Sequence, residues 1–562
     1  MHYNVHFLAP AVALVGLVIQ CGTNAAIIPD SLGRRVIAEP RSAHTVQEFP
    51  DPGGSAPEPA RWSTRIRDSI VGQLFGRADR HGRRRENQRY LSDTAKVVSQ
   101  YAGDVVLRFT LKTPEEVKAL AEASNILLLD VWSTTKTHAD IRIAEADIPP
   151  LLDLLPASLQ HSHARLMHDL SQTARDTYPG ESPGGRYHGR TPDGVQNLFF
   201  QDYQPLDVIQ AWMNLLRSLF PSLVEIVSIG KSYEGRDIQA IRVGKRGGDG
   251  GRKTIIVTGA VHAREWISVS TVSYLAYSLI TGYKRSNDRS LDTIVDEFDW
   301  YFIPTLNVDG YVYTWEGDRL WRKNRQPTTL AFCKGIDLDR AYNFHFDGSS
   351  QSQSNPCSDM FPGTSPFEAT EAKVFSDWTY NMTREGAKIV GLLDFHSYSQ
   401  QILYPYSYSC NSMPPDLENL EELGIGLAKA IRLVSGEHYE VTSACEGTGF
   451  AKYQGTTGGG SMMDFFYAED RIPYSYQIKL RDTGSYGFLL PKDHIIPAGE
   501  ESMNLLKYFG MFILDDGSPV QRHSGLKKKN LFLLVYSFWC FVITARDTFR
   551  VETSKWRVGP CG

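Results

Sequence analysis

Three short apolar runs constrain most strongly what this chain can fold into: residues 254–260, Asp299 to Leu306, and Ile389 to Phe395. Each is too short for a core helix and largely apolar at consecutive positions, as a strand buried on both faces must be. Between the first two, Ser268 to Ile280 carries a helical apolar face, and Leu206 to Phe220 reads as a helix upstream. Strands alternating with helices predict an α/β fold, a mixed, mostly parallel sheet with helices on both faces, over residues 198–515. Sheets of this kind gather ligands outside the carboxyl ends of their strands.

At 562 residues the chain exceeds one ordinary core, so further domains are expected. Within residues 101–170, Val105 to Leu111 reads as a strand. Thr113-Pro114-Glu115-Glu116 then supplies a capping box with proline at the first helical position, opening a helix that buries Val117, Leu120 and Ala121. Ile126 to Trp132 and His138 to Ile143 follow as strands, and Ile148 to Leu155 as a second helix. That β-α-β-β-α order predicts a small α+β, ferredoxin-like domain.

The ends and linkers carry other signals. The apolar run Phe7 to Cys21, followed by Gly22-Thr23-Asn24-Ala25-Ala26, predicts a signal peptide over residues 1–26 and a secreted protein. Secretion permits disulfides and makes Asn381, in the sequon Asn381-Met382-Thr383, a glycosylation site. Residues 27–100 and 171–197 read as linkers, and Gly82-Arg83-Arg84-Arg85-Glu86 is either a processing site or a solvated charge cluster. Residues 516–562 form a divergent tail whose apolar run, Leu531 to Ala545, would span about 22 Å as a helix. That falls short of the roughly 30 Å bilayer core, so membrane contact is expected only if this run inserts. A net charge of −5 gives no case for nucleic acid.

Chemistry collects at the strand ends. His262 and Glu265 follow the first apolar run, and His396 follows the third. An i, i+3 pair where a strand turns into a helix lets an imidazole and a carboxylate converge on one ion, with His396 at the same sheet edge. Two histidines and a glutamate leave a fourth tetrahedral position open, the pattern of a catalytic zinc site. Taken alone, His-x-x-Glu is weak evidence, because most of the fifteen histidines must be ordinary core or surface residues.

The flanking residues answer that objection. Val261-His262-Ala263-Arg264-Glu265-Trp266, His396-Ser397-Tyr398-Ser399-Gln400, Leu320-Trp321-Arg322-Lys323 and Ile478-Lys479-Leu480-Arg481-Asp482-Thr483-Gly484 resemble the zinc carboxypeptidases of the pancreatic A/B type. The resemblance covers roughly residues 200–515. It implies one Zn2+ held by His262, Glu265 and His396, and a substrate pocket that includes Arg264, Arg322, Asp339, Arg340, Ser397, Tyr398 and Tyr453. Arg322 would stabilise the oxyanion, a contribution of roughly 3–4 kcal/mol for one donor. Tyr453 would close over bound peptide, and Met463 in the pocket floor would favour apolar side chains. The resemblance also implies a Cys333–Cys357 disulfide, and an inhibitory pro-domain over residues 101–170 that shields the cleft. Cys410 and Cys445 are candidates for a second bridge.

Two residues depart from the family pattern. Lys479 stands where the family carries the glutamate that takes a proton from the attacking water; an ammonium has three donors and no acceptor. Asp339 replaces the asparagine that, with Arg340, grips the free carboxylate of a peptide, and its charge repels that group. Either the two changes compensate by pairing with each other across the cleft, or each stands alone. The chain is similar to the fungal inactive metallocarboxypeptidase-like proteins linked to cell-wall organisation, which share the lysine. That similarity implies a catalytically inactive zinc protein with a binding or scaffolding role, toward a peptide or cell-wall component, in the vacuole or cell wall. The alternative is an active zinc carboxypeptidase removing C-terminal apolar residues with a neutral lysine as base.

Overall fold

The computed structural model describes residues 94–135, 137–179, 197–245, 252–347, 354–448 and 458–516. The expected signal peptide, the Arg83–Arg85 cluster and the apolar tail lie outside these residues. Two sheets organise the rest.

The smaller sheet is antiparallel, with strand order β2-β3-β1-β4, from β1 (Asp104–Thr110), β2 (Asp130–Thr134), β3 (His138–Ala144) and β4 (His163–Met167). After β1, Thr113 caps the helix Pro114–Ile126 by accepting from the Glu116 backbone N–H. Glu116 completes the box one residue early, its carboxylate accepting from the Lys112 N–H at 2.8 Å. Val117, Leu120 and Ala121 are buried as expected, against Val105, Leu107, Phe109, Ile141 and Leu151.

Three features differ from the sequence reading. The strand expected from Ile126 begins only at Asp130, because the helix runs through Ile126 and Leu128 turns with φ 53°. β4 was not foreseen: only Met167 of its five residues is buried, so it shows no buried alternation. The helix Leu170–Asp176, capped by Asp169, occupies the start of the stretch read as linker.

The larger sheet has eight strands in the order β11-β10-β12-β9-β7-β8-β6-β5. β5 (Val224–Lys231) and β6 (Asp237–Val243) form an antiparallel edge. β7 (Lys253–Gly259), β8 (Phe298–Ile303), β9 (Lys388–Ser397) and β12 (Tyr474–Leu480) run parallel at the centre. β10 (Gln401–Tyr404) is antiparallel to β12, and β11 (Glu440–Ser443) is parallel to β10. The three runs that opened the sequence reading are β7, β8 and β9. Each is almost wholly buried, because helices such as Trp266–Gly282 and Ile495–Asp516 cover the sheet. Cys333–Cys357 and Cys410–Cys445 are both bonded. Among the described residues, no helix is long and apolar enough to cross a membrane.

One glycine ties the cleft loops together. Gly460 has φ +75°, and a Cβ there would stand 2.2 Å from the Arg340 carbonyl oxygen. Its own backbone donates to Phe344 O and accepts from the Tyr342 N–H. Gly460→Ala therefore meets both a left-handed backbone cost and rigid backbone. We expect a loss of about 2 kcal/mol or more in denaturant unfolding; an unchanged midpoint would show that the loop gives way freely.

Candidate metal centre

β7 ends at Gly259 and the chain turns at once, with Ala260 at φ 48°, before the helix that starts at Trp266. Ser268 fixes this corner: its hydroxyl accepts from the Ala260 N–H at 2.9 Å and donates to Glu265 O at 2.7 Å. Asn307 braces the other side, donating to Val261 O and Arg322 O. The corner carries His262 and Glu265, while His396 is the penultimate residue of the adjacent parallel strand β9. Ligand atoms of all three lie within 4.8 Å of one another, and all three residues are buried.

The donor set fits a metal ion. His262 Nε2 lies 3.1 Å from Asp337 Oδ1, and His396 Nε2 lies 2.6 Å from Asp394 Oδ2. Asp394 is itself held by the Thr258 hydroxyl at 2.7 Å. Carboxylates on both Nε2 atoms assign the proton there and turn both Nδ1 lone pairs inward. The two Nδ1 atoms then face each other at 3.1 Å, with Glu265 oxygens 2.9 and 3.1 Å away. Lone pairs and a carboxylate aimed at one point call for a cation between them. The charges of the site shift one another: burial would raise the Glu265 carboxyl, but the two imidazoles hold it well below its usual range, and burial would lower His396, yet Asp394 and Glu265 push it well up.

Asp337 joins this centre to the cations of the cleft. Besides His262, it accepts from Arg322 Nη2 at 3.0 Å and pairs with Arg340 Nε at 3.3 Å. Against burial, Arg322 and His262 keep its carboxyl well below the ordinary value. Asp337 and Glu265 in turn keep the half-buried Arg322 guanidinium protonated.

Lys479 projects from β12, in register with His396 on β9, so both side chains stand on the same face of the sheet. It is half-buried, and its side-chain amine makes no hydrogen bond or ion pair among the described residues. Burial lowers its pKa to about 8, while Glu265 opposes the shift. The expected pairing with Asp339 is not formed. Gln477, two residues earlier on the same strand face, donates to Asp339 Oδ2 at 2.9 Å, and the Met462 N–H occupies Oδ1 at 3.1 Å. The glutamine and a backbone amide thus reach the carboxylate where the lysine does not.

The remaining pocket residues divide. Arg264 is 1% exposed and already engaged. It donates to Asp130 of the small sheet at 3.0 Å and lies 4.1 Å over the Phe488 ring. The Tyr398 hydroxyl donates to Asp140, also of the small sheet, at 2.7 Å. The Ser397 N–H donates to Glu265 Oε2 at 3.0 Å, and Met463 is buried with Leu403 and Ala444. Asn381 is exposed near the end of the helix Thr370–Arg384. Tyr453 lies outside the described residues. Sequence reasoning missed Asp337, Asp394, Asp130 and Asp140. For Asp394 a signal was present, a lone carboxylate within the apolar run Leu392-Leu393-Asp394-Phe395.

Comparison with known proteins agrees with this geometry. Residues 209–505 match the family described as zinc carboxypeptidase. Among curated relatives, the protein named inactive metallocarboxypeptidase ecm14 of Sclerotinia sclerotiorum is 53% identical over 449 residues, 75% of each chain. Its namesake in Paracoccidioides lutzii is 48% identical over 521 residues, 88% of this chain and 87% of that one. Among solved structures, thrombin activatable fibrinolysis inhibitor superposes with a TM-score of 0.63 at 26% identity, covering 73% of this chain and 98% of that one. The carboxypeptidase A of Helicoverpa armigera gives 0.62 at 25% identity over the same shares.

The carboxylates behind the histidines generate a direct expectation. Asp394→Asn keeps the shape of the side chain but removes the charge that orients His396. Zinc affinity, read by competition with a chromogenic chelator, should fall roughly 10–100-fold. Unchanged affinity would mean that His396 is not a ligand.

Proposed function

The chain belongs to the zinc carboxypeptidase family, and from that premise we propose that it holds one zinc ion through His262, Glu265 and His396 but does not hydrolyse peptides. When bound, zinc supplies Lewis acidity. The chain's own residues must supply the rest, and the reading rests on one observation: the residue beside the metal triad is Lys479. Peptide hydrolysis by water needs an acceptor for the proton the water loses, and an ammonium is only a donor. Arg322 remains placed to stabilise a developing oxyanion, but a preorganised cation does not replace the missing proton acceptor. The substrate grip is weakened as well, because Asp339 brings a negative charge beside Arg340 and Arg340 already pairs with Asp337. The names of the relatives at 48–53% identity support the same reading.

With hydrolysis lost, the role left to the cleft and surface is binding or scaffolding of a peptide or cell-wall component by a secreted protein, in the vacuole or wall. The apolar N-terminus and the exposed sequon at Asn381 support passage through the secretory pathway. The small N-terminal sheet acts as the cleft's own partner, since Asp130 and Asp140 hold Arg264 and Tyr398.

One observation favours the active alternative: a lysine titrating near 8 has a minor neutral fraction at neutral pH that could accept a proton. The two readings separate in one assay. Zinc-loaded protein, cut in the 180–196 segment, is given N-blocked dipeptides with apolar C-terminal residues, beside its Lys479→Glu variant. No turnover by the parent at any pH is expected. Zinc-dependent turnover that rises with pH through about 8, as the lysine becomes neutral, would establish the alternative.

A further inference from the structure

Three cations converge at the mouth of the metal cleft without a full set of acceptors. Arg322 Nη2 and Arg340 Nε share one oxygen, Asp337 Oδ2, at 3.0 and 3.3 Å, which brings the two guanidinium groups together. Arg322 Nε has no hydrogen-bond partner among the described residues. Lys479 rises from the same face of β12 as Gln477, whose amide reaches Asp339, the neighbour of Arg340 in the chain. The Lys479 amine has no direct partner among the described residues. Besides burial, the charges of Glu265, Arg322, Asp339 and Arg340 all act on it.

The layering of charge decides what such a mouth attracts. Its anions lie deep, with Asp337 and Glu265 only 0% and 2% exposed. Arg322, Arg340 and Lys479 keep partial exposure with the small N-terminal sheet in place. Two partly exposed carboxylates act on these cations, and both are already engaged. Asp359 pairs with Arg264 at 3.4 Å, while Asp339 accepts from Gln477 and from the Met462 N–H. Like charges held together in a partly desolvated site raise the local concentration of anions, and a bound anion relieves their mutual repulsion.

Geometry narrows the class of anion. A carboxylate offers two oxygens in one plane, which matches a single guanidinium fork. A phosphate monoester offers three strong acceptor oxygens on a tetrahedron and carries about two charges at neutral pH. It can therefore accept from both guanidinium groups and from the ammonium at once, the fork contacts coming from the arginines and a point charge from the lysine.

We propose that Lys479, Arg322 and Arg340 form a binding site for a tetrahedral oxyanion, a phosphate monoester, and that Lys479 sets the preference for it over a carboxylate. The assignment rests on the reading of the cleft as a binding rather than a hydrolytic site, and it names the ligand chemistry of that site. Asp339 is the counterweight, since its charge opposes any anion that approaches Arg340.

The test is calorimetric titration of the zinc-loaded full chain at pH 7 in 0.15 M NaCl. The probes are inorganic phosphate, N-acetyl-O-phosphoserine amide, glucose 6-phosphate and acetate. At least one ester should bind tenfold or more tighter than acetate, and the tighter ester identifies a peptide or a sugar as the carrier. The preference should persist in metal-free protein, because its donors are side chains. Lys479→Met should weaken ester binding about tenfold or more, as loss of one charge-assisted contact requires. Asp339→Asn should tighten it, a gain that misfolding cannot produce. Acetate binding as tight as the esters, binding of inorganic phosphate alone, a preference that vanishes with the metal, or equal ester affinities for the parent and Lys479→Met would each overturn the proposal. The same samples are given N-blocked dipeptides. Turnover there would sink the non-hydrolytic reading, whereas no turnover together with no ester binding would sink this proposal alone.

Discussion

The buried carboxylate of Asp337 ties the cleft together. It faces His262 on one oxygen and Arg322 and Arg340 on the other, so one anion fixes a metal-ligand imidazole and both guanidinium groups at once. Such a group is costly to bury alone and holds its charge only because three cationic or donating partners surround it. Asp394 does the equivalent for His396 from within β9. The inward geometry of the two Nδ1 atoms follows from these aspartates more than from the ligands themselves. It explains how the metal triad stays assembled beside a lysine.

That independence frames the Lys479 position. A carboxylate beside the triad would be one more anion in a cluster already balanced by two arginines; a lysine is one more cation, and burial depresses its pKa. The chain accommodates the lysine without giving it a direct partner among the described residues, and it uses Asp339 to organise Gln477 and the Met462 amide. A protonated lysine accepts no proton, and the hydrogen-bonded scaffold around it is intact among the described residues.

Much of this was legible before any coordinates. β7, β8 and β9 announced themselves because strands buried on both faces must be apolar throughout, and the motif residues follow their carboxyl ends. The pairing of Cys333 with Cys357 followed from resemblance and is present. What stayed hidden depended on tertiary competition. Nothing local in β4 separates a half-exposed edge strand from a loop, and the short helix Leu170–Asp176 carries too few apolar residues to show a period. The Asp339–Lys479 pairing was reasonable electrostatically, yet Gln477 on the same strand face and the Met462 amide hold the two Asp339 oxygens instead. The engagement of Arg264 and Tyr398 by Asp130 and Asp140 joins residues more than a hundred positions apart, beyond any local pattern.

The account stands on a His-Glu-His metal site next to a lysine whose amine, while protonated, has no lone pair to take a proton. A crystal of the zinc-loaded full chain, measured on both sides of the zinc absorption edge, tests this most directly. The account predicts one anomalous peak, about 2.0–2.2 Å from the Nδ1 atoms of His262 and His396 and from a Glu265 oxygen, with the Lys479 amine outside the coordination sphere. A peak ligated through Lys479, or no peak between these three residues, would contradict it.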